Sequence, residues 1–363
     1  MLDILPESLH FVGVGGIGMS GLAQMAASLG CDVSGSDRAL NSPENARIID
    51  SLKAQGIKLL PQDGSRYKDG QPGAIVYSTA IEEDNPDFLN ADKNTPRIHR
   101  SEAMSLCIGK LKAKTSYSIS GTCGKTSVSA WMAEALFNLG KNPGFISGGL
   151  VNAFASDKTA GNYTKGSGEY FVIEADESDK SLLNYTSDAS MVLNIGTDHY
   201  SKEELASVFR KFLKQTGRIG VIEDKAFEAV GPEGLEHLEM LLFSTDKNAP
   251  SSVKGRKVIR LDSYRAGNDG VFASFDGLKE IRLQAPGFYN AANALAVYTG
   301  LLSLGFDSKS AREAVTGFRG VWRRFDYAGK TSAGAAVYDD YAHNVEKIIS
   351  CLNAAKEICS GRI

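Results

Sequence analysis

A glycine-rich segment carries the residue types that bind a triphosphate. It reads Ser120-Gly-Thr-Cys-Gly-Lys-Thr-Ser127 and lies between an apolar strand pattern and a helical pattern. In a P-loop, backbone amides surround the phosphates, the lysine reaches the terminal phosphates, and the next hydroxyl binds Mg²⁺. The strict pattern has glycine where this chain has Ile119, but the Gly-Lys-Thr end is kept. We therefore predict that ATP phosphates contact Gly121, Thr122, Gly124, Lys125, Thr126 and Ser127.

A run of carboxylates follows the apolar strand pattern at Tyr170–Ile173. Its members are Glu174, Asp176, Glu177 and Asp179. Acidic groups at the carboxyl end of a strand, beside a P-loop, are where the Mg²⁺ of a triphosphate is held. Glu174 is the predicted metal ligand because it is nearest the strand. Two of the carboxylates could instead cap the next helix, so the roles of the other three stay open.

A second strand pattern, Met191–Ile195, ends close to Asp198 and His199. A lone histidine is more often a surface or core residue than a ligand. The position of His199 directly after a strand, beside a carboxylate, favours metal ligation here. The predicted catalytic residues are Lys125, Glu174 and His199, and the predicted metal ligands are Thr126, Glu174 and His199.

The N-terminal region has a second glycine cluster, Gly13-Val-Gly-Gly-Ile-Gly18, between a strand pattern and a helical pattern. Glycines let the backbone approach a phosphate, and the helix N-terminus presents free N–H groups to an anion. Asp37 follows the next strand pattern, where an acidic side chain can accept ribose hydroxyls. The cluster predicts a bound nucleotide diphosphate and leaves open whether it is NAD or another diphosphate.

The composition is that of a soluble, intracellular protein. Lysine and arginine number 40 against 43 acidic residues in 363, so the net charge of −3 does not suggest nucleic acid or an anionic membrane as a partner. No apolar run approaches the roughly 20 residues that span a bilayer, and the N-terminus has no signal-peptide pattern. The five cysteines are scattered and form no C-x-x-C pair. We expect a cytoplasmic protein that binds neither nucleic acid nor a membrane.

Strand and helix patterns alternate along the chain, which is typical of α/β domains with mainly parallel sheets. We predict three parts: residues 1–107 as a Rossmann-like domain, 108–320 as a central P-loop ATPase-type α/β domain, and 321–363 as the start of a Rossmann-like C-terminal domain. The third part has one strand pattern and one helix pattern, which cannot bury their own apolar face, so we expect this domain to be truncated. The polar segment Ser156–Ser167 is expected to be a mobile loop.

Together these motifs resemble the Mur ligase family, in the family's order and over nearly the whole chain. The resemblance in the first domain rests on Phe11–Gly21, Val33–Asp37, Tyr77–Ile81, Asn85-Pro86 and Arg100–Glu102. In the middle domain it rests on Gly121–Thr126, Glu174–Asp179, Asp198-His199 and Pro286–Leu295. Gly320–Phe325 and Asp339–His343 look like the entry into the family's third domain.

The resemblance implies further site residues. A uridine diphosphate substrate, and not NAD, would contact Gly15, Gly16, Ile17, Gly18, Ser36, Asp37, Ser78, Thr79 and Arg100. Besides the P-loop, ATP would contact Asn290, Asn293, Arg324 and Asp340. The amino-acid substrate would meet Tyr341 and His343.

The implied reaction is an ATP-dependent ligation with Mg²⁺ as cofactor. The carboxylate of UDP-N-acetylmuramate attacks the γ-phosphate to give an acyl phosphate, and the amine of an amino acid then displaces phosphate. Such a reaction serves the synthesis of peptidoglycan precursors, and hence cell-wall formation, cell shape and cell division. The wording Gly-Ile-Gly-Met-Ser-Gly of the first glycine cluster is most like the branch of the family that adds L-alanine.

This chain departs from the family pattern at three places. Cys123 and Tyr289 stand where the family usually has histidine, and Ala342-His343-Asn344 replaces the usual Gly-His-His. The last change leaves the identity of the added amino acid open. The sequence does not determine the oligomeric state or a carbamylated lysine.

The sequence leaves other functions open. One is a muropeptide-recycling ligase that adds a peptide, and another is a ligase of similar build acting on a different carboxylate. A non-catalytic nucleotide-binding relative would follow from a natural truncation, and an incomplete third domain could leave the isolated chain inactive. An NAD-linked oxidoreductase is disfavoured because hydride transfer needs no triphosphate site.

Overall fold

The computed structural model describes residues 2–196, 200–267, 270–343, 345–359 and 361–363, except for the side chains of Asp69 and Glu346. The Cα positions of the chain form two compact units. Unit 1 contains the chain up to Lys114, together with Pro143–Phe171 and Asn184–Thr186. Unit 2 contains Thr115–Asn142, Val172–Leu183 and Ser187–Ile363. This division assigns residues 143–171 to unit 1, and the three predicted domain boundaries stay a prediction.

Unit 1 begins with a sheet whose strands are all parallel. The strands are β1 (Ser8–Val12), β2 (Asp32–Asp37), β3 (Lys58–Pro61), β4 (Ala74–Tyr77) and β5 (Arg97–His99). Their spatial order is β3-β2-β1-β4-β5. The order reverses between β1 and β4, and ligands of such sheets bind outside the carboxyl ends of the strands at that reversal. The predicted α/β fold with parallel strands is confirmed.

Helices connect these strands. They are α1 (Ile17–Ser28), α2 (Ala46–Ala54), α3 (Pro86–Asn90) and α4 (Arg100–Leu111). Helix α1 follows the first glycine cluster directly, with Gly16 as its N-cap residue. Helix α4 begins with a capping box, in which the His99 side chain accepts the Ser101 amide and Glu102 accepts the His99 amide.

The chain then enters unit 2, returns briefly to unit 1, and enters unit 2 again. Unit 2 receives β6 (Thr115–Ser120) and α5 (Lys125–Asn138), and unit 1 receives the antiparallel pair β7 (Gly144–Ile146) and β8 (Tyr163–Thr164). The next strand, β9 (Tyr170–Glu174), begins in unit 1 and ends in unit 2. The segment predicted to be a loop, Ser156–Ser167, therefore contains one strand of a hairpin.

Most of the remaining elements form the body of unit 2. In chain order they are β10 (Ala189–Val192), α6 (Lys202–Lys214), β11 (Ile219–Glu223), α7 (Asp224–Val230), β12 (Glu239–Ser244), β13 (Ser252–Val253), β14 (Arg256–Gly267), β15 (Gly270–Phe275), β16 (Ile281–Leu283), α8 (Phe288–Ser303) and α9 (Ser308–Thr316). The sheet order is β16-β15-β14-β12-β11-β10-β6-β9. Strand β6 thus lies between β9 and β10, so the loops that follow these three strands meet at one edge of the sheet.

Helix α5 is buried from Val128 to Leu136 and follows the glycine-rich loop directly. The Trp131 indole stacks on Phe318 with ring centroids 4.4 Å apart and donates to the Val315 carbonyl at 2.9 Å. Glu134, 1% exposed, accepts both the Arg319 amide (3.0 Å) and its Nε (2.8 Å). These contacts fix α5 to the end of α9 and to the segment that follows it, and Phe318 and Arg319 of that segment also line a cleft described below.

The last elements are β17 (Asp326–Lys330), β18 (Ala336–Asp339) and α10 (Val345–Ile358). The two strands pair antiparallel. The sequence patterns predicted β18 and α10 but not β17, whose residues Asp-Tyr-Ala-Gly-Lys lack an apolar alternation. Within the described parts of the chain, no helix is long and apolar enough to cross a membrane.

Candidate nucleotide-binding sites

The loop between β6 and α5 has a backbone that requires glycine. Gly121 and Gly124 have φ angles of 143° and 89°, which side-chain-bearing residues rarely adopt. A Cβ added to Gly124 would lie 2.7 Å from Asn293 Oδ1. The loop therefore packs directly against α8, and one of the residues predicted to contact ATP from that helix lies beside the phosphate loop.

Lys125 and Thr126, the two reactive side chains of this loop, both meet carboxylates of the run after β9. Lys125 Nζ lies 2.6 Å from Glu177 Oε2 and donates to the Gly121 carbonyl at 2.9 Å. Thr126 Oγ1 donates to Glu174 Oε1 at 2.6 Å. Burial lowers the pKa of the Lys125 ammonium, but the neighbouring carboxylates raise it by more, so the net shift is upward. The lysine is therefore a fixed positive charge.

Asn194, which follows β10, holds the loop from the other side. Its Oδ1 accepts the Cys123 amide and its Nδ2 donates to the Cys123 carbonyl, both at 2.9 Å. The Gly196 amide donates to Thr122 Oγ1 at 2.8 Å. Sequence reasoning did not identify Asn194, although an amide side chain directly after a strand adjacent to the P-loop strand is a usable signal.

A cleft of about 820 Å³ opens beside the loop within unit 2. Its walls come from the loop, from α8, from residues 318–327 and from α10. Of the residues predicted to contact ATP, those that line the cleft are Gly124, Ser127, Asn290, Asn293, Arg324 and Asp340. Cys123, Tyr289, Lys347, Ser350 and Cys351 line it as well. The volume lies within the usual range for a site that encloses one small ligand such as a nucleotide.

Arg324 enters this cleft from an unusual stretch of backbone. The residues on either side of it, Arg323 and Phe325, have φ angles of 58° and 51°. Asp340 holds the stretch in place, since its Oδ2 accepts the Phe325 amide at 2.7 Å and its Oδ1 accepts the Ala342 amide at 2.8 Å. The structure thus brings the predicted residues Arg324 and Asp340 together, with Asp340 engaged with the backbone.

The predicted amino-acid-binding residues, Tyr341 and His343, follow β18 directly. Their rings lie 5.3 Å apart, and the Tyr341 side chain is about half exposed at 51%. The Arg324 guanidinium lies 5.5 Å from the Tyr341 ring. These two residues are therefore adjacent to the cleft wall that carries Arg324.

In unit 1, the first glycine cluster, Asp37 and Arg100 meet at the N-terminus of α1. The Gly15 amide donates to Asp37 Oδ2 at 2.8 Å, and the Ala39 amide donates to Asp37 Oδ1 at 2.7 Å. A Cβ added to Gly18 would lie 3.6 Å from Arg100 Nη1. A helix N-terminus and a guanidinium side by side suit a diphosphate. Asp37 supports the turn itself.

Ser78 and Thr79, also predicted to contact the uridine substrate, lie at the carboxyl end of β4. The turn that contains them closes with the Ile81 amide donating to the Ser78 carbonyl at 3.1 Å. The Ile81 side chain reaches the glycine cluster, since a Cβ added to Gly13 would lie 3.0 Å from Ile81 Cδ1. The two residues are therefore neighbours of the glycine cluster.

Ser36, the remaining predicted residue of this site, belongs to a buried polar network. Its hydroxyl donates to Asp87, which also accepts the Gly64 amide at 3.1 Å and lies 3.6 Å from His10 Nε2. His10 Nδ1 is hydrogen-bonded to Ser34 Oγ at 2.9 Å. His10, Ser36 and Asp87 are fully buried. The Ser36 side chain is thus part of the buried interior of unit 1. Sequence reasoning did not identify Asp87 or His10.

Two glycines of this cluster give a matched test of the geometry. A Cβ on Gly15 would lie 2.9 Å from Asp37 Oδ2, whereas Gly18 lies inside α1 with ordinary space around it. We expect Gly15→Ala to lower the free energy of unfolding by about 1–2 kcal/mol through the lost hydrogen bond to Asp37. Gly18→Ala should be neutral or stabilise by up to about 1 kcal/mol, as alanine favours a helix. Urea unfolding measures both, and equal effects would contradict the account.

Of the three predicted metal ligands, the structure describes Thr126 and Glu174, while His199 and its neighbour Asp198 lie outside the described residues. Within the described ranges, no group of three or more histidine, cysteine or acidic side chains is arranged to hold a metal ion. Thr126 Oγ1 and Glu174 Oε1, 2.6 Å apart, are oxygen donors of the type Mg²⁺ prefers. Because Mg²⁺ takes few protein ligands and completes its shell with water and phosphate oxygens, this donor pair fits Mg²⁺.

The fold and these contacts define an α/β nucleotide-binding protein of the P-loop type. The family model of the Mur ligase catalytic domain matches residues 8–110, and that of the Mur ligase middle domain matches residues 119–300. The chain belongs to the Mur ligase family, whose members are ATP-dependent amide ligases. The predicted family and enzyme class are confirmed.

Individual relatives agree with this assignment. The UDP-N-acetylmuramate–L-alanine ligase of Sinorhizobium medicae is 33% identical, over 98% of this chain and 74% of the relative. That of Chelativorans sp. is 32% identical, over 99% and 77%. The crystal structure of the UDP-N-acetylmuramate–alanine ligase MurC from Thermotoga maritima superposes with a TM-score of 0.80 at 30% identity, over 97% of this chain and 78% of that one. A murein peptide ligase from Psychrobacter arcticus shares the fold, with a TM-score of 0.76, 22% identity and coverage of 98% and 77%.

Proposed function

We propose that this chain catalyses the ATP-dependent joining of UDP-N-acetylmuramate to L-alanine in the synthesis of peptidoglycan precursors in the cytoplasm. The observation that carries the proposal is the contact of Lys125 and Thr126 with carboxylates at the edge of an ATP-sized cleft. This is the apparatus that transfers a phosphoryl group to a carboxylate. The choice of substrates is supported by the names of the relatives in Sinorhizobium medicae and Chelativorans.

In this proposal unit 1 binds the UDP part of the sugar nucleotide. Backbone amides of Ile17 and Gly18, at the N-terminus of α1, face the diphosphate, and Gly15 and Gly16 form the turn against which it lies. The Arg100 guanidinium offsets its charge. Asp37 holds the glycine turn through the Gly15 amide. Ser36, Ser78 and Thr79 complete the surroundings of the site, Ser36 from within the sheet.

Unit 2 binds ATP in the cleft beside the phosphate loop. Lys125 would reach the β- and γ-phosphates. Asn290 and Asn293 line the cleft from α8, and Arg324 lines it from the segment before β17, so that all three would contact the nucleotide. Asp340 fixes the backbone that carries Arg324. Thr126, Glu174 and His199 would hold Mg²⁺, which supplies charge neutralisation at the phosphates when bound.

The residues of the chain act mainly by positioning and charge. An oxygen of the substrate carboxylate attacks the γ-phosphorus, the bond to the bridging oxygen of ADP breaks, and an acyl phosphate forms. The amine then attacks the acyl carbon, loses a proton to solvent, and inorganic phosphate leaves with the former carboxylate oxygen. Lys125 and Arg324 stabilise the charge that spreads over the phosphoryl oxygens. Tyr341 and His343 lie where the amino acid would approach the cleft wall.

Ligand-induced thermal stabilisation tests these assignments separately. UDP-N-acetylmuramate, ATP with Mg²⁺, and NAD are added one at a time to the chain. A ligand at 100 times its dissociation constant stabilises the folded state by about 2.7 kcal/mol, which raises the melting temperature by several degrees. We expect shifts with the first two ligands and none with NAD. A shift with NAD and none with the UDP-sugar would overturn the assignment of unit 1.

A further inference from the structure

We propose that Glu177 is a positioning residue that holds Lys125 in the nucleotide-free site and competes with the phosphates of ATP for it. The inference rests on the proposed function, because it assumes that Lys125 binds ATP. It assigns a role to one carboxylate of the run after β9 that sequence reasoning left open. Glu177 would thereby set the affinity of the site for ATP.

The ion pair between the two side chains is short and enclosed. Lys125 Nζ and Glu177 Oε2 lie 2.6 Å apart, and the two side chains are 17% and 4% exposed. A second N–H of the Lys125 ammonium donates to the Gly121 carbonyl at 2.9 Å. One N–H remains, but a phosphate oxygen bound there would place two anions around one cation in a poorly solvated site. Because an ammonium already paired in an enclosed site gains less from a second anion, phosphate and Glu177 compete for Lys125.

The other carboxylates of the run have different partners. Glu174 accepts the Thr126 hydroxyl, and Asp176 accepts both the amide (3.0 Å) and the hydroxyl (2.8 Å) of Ser178. Asp179 accepts the Ser181 amide at 2.9 Å. Glu177 is thus the carboxylate in direct contact with the P-loop lysine. Asp179, whose described contact is with Ser181, therefore gives an internal control for Glu177.

The energetic consequence is an exchange of one anion for another. Without nucleotide, the buried lysine is already neutralised, so the phosphates gain only the difference between their interaction with Lys125 and that of Glu177. Removing the charge of Glu177 while keeping its shape frees the lysine for the phosphates. Loss of an acidic group that contacts the catalytic lysine should therefore tighten ATP binding.

The test compares Glu177→Gln with Asp179→Asn, which changes the charge equally two residues away without touching Lys125. Isothermal titration with ATP measures the dissociation constant of each variant, and thermal melting confirms that each is folded. We expect Glu177→Gln to lower the dissociation constant roughly tenfold, as close pairs of poorly solvated charges are coupled at least on that scale. Asp179→Asn should change it by less than about threefold, since Asp179 is only partly buried and its charge is better screened than that of Glu177.

A Lys125→Met background shows whether Glu177 acts through the lysine. With no ammonium to hold, Glu177→Gln should alter ATP affinity by less than about threefold. A tenfold gain in that background as well would mean plain repulsion and would overturn the proposal, as would weaker ATP binding in the Glu177→Gln single variant. Failure of the proposed function is a separate result, because the wild-type chain would then not bind ATP.

Discussion

Replacing Lys125 with methionine is expected to lower the rate of ATP-dependent ligation by about 10³-fold, the scale seen when one fixed charge or donor is removed from a phosphoryl- or acyl-transfer site. The physical reason is that, in the proposed site, the Lys125 ammonium, kept cationic by the carboxylates around it, would offset the charge of the terminal phosphates. Release of phosphate from ATP in the presence of the UDP-sugar and L-alanine measures the rate. Lys211→Met, an exposed lysine on α6, is the control and should leave the rate unchanged.

Loss of fold has to be separated from loss of chemistry in this test. Removing Lys125 alone leaves Glu177 buried without its cation, which destabilises by about 3–5 kcal/mol in comparable cases. The double variant Lys125→Met with Glu177→Gln removes both charges and should restore most of that stability. We expect it to be folded and still about 10³-fold slower. A folded double variant with wild-type activity would contradict the role of Lys125.

Replacing Asp87 with alanine is expected to have a large effect on stability, a loss of about 3–5 kcal/mol in the free energy of unfolding. The carboxylate is fully buried and accepts from the Ser36 hydroxyl and the Gly64 amide beside His10. Its removal leaves those groups without a partner inside unit 1. Because Ser36 adjoins Asp37 at the end of β2, binding of the UDP-sugar should weaken as well.

Asp84→Ala is the matched control for this prediction. Asp84 lies three residues earlier and is exposed, so its removal should change stability by less than about 0.5 kcal/mol. Urea unfolding followed by circular dichroism gives both values. Equal stability of the two variants would show that the buried network does not support unit 1.

Several elements could be predicted from the sequence because local pattern and tertiary packing agree. Helix α6 (Lys202–Lys214) has both an apolar periodicity and a Ser201 N-cap, so its start and extent are marked in the local sequence. Helices α1 and α5 each follow a glycine cluster that marks their start. Binding loops of this type can be predicted from the local sequence, since the glycines and the following helix lie next to each other in the chain.

Elements whose stability comes from distant residues were not predictable. The segment Pro143–Phe171 belongs to unit 1 through contacts such as Asn162, whose side chain donates to the Ile17 carbonyl at 2.7 Å and to Ser20 Oγ at 2.8 Å. These partners are more than 140 positions away, so no local pattern reveals them. Strand β8 forms inside a polar segment for the same reason.

In the candidate sites too, some residues could be predicted from the local sequence and others depend on distant contacts. Gly121–Ser127 and Glu174 could be found from motif and position, whereas the pairing of Lys125 with Glu177, rather than with another acid of the run, depends on how the loop after β9 folds back. Asn194 and Asp87 carry no motif of their own. Their importance follows from what they hold, namely the phosphate loop and the Ser36 hydroxyl.

The fate of the carboxylate oxygen tests the central claim most directly. UDP-N-acetylmuramate labelled with ¹⁸O in its carboxylate is incubated with the chain, ATP, Mg²⁺ and L-alanine, and the released phosphate is examined by mass spectrometry. The proposed acyl phosphate predicts that each phosphate carries one oxygen from the carboxylate and that the sugar nucleotide gains alanine as an amide. Phosphate without the label, or no ATP-dependent change in the sugar nucleotide, would contradict it.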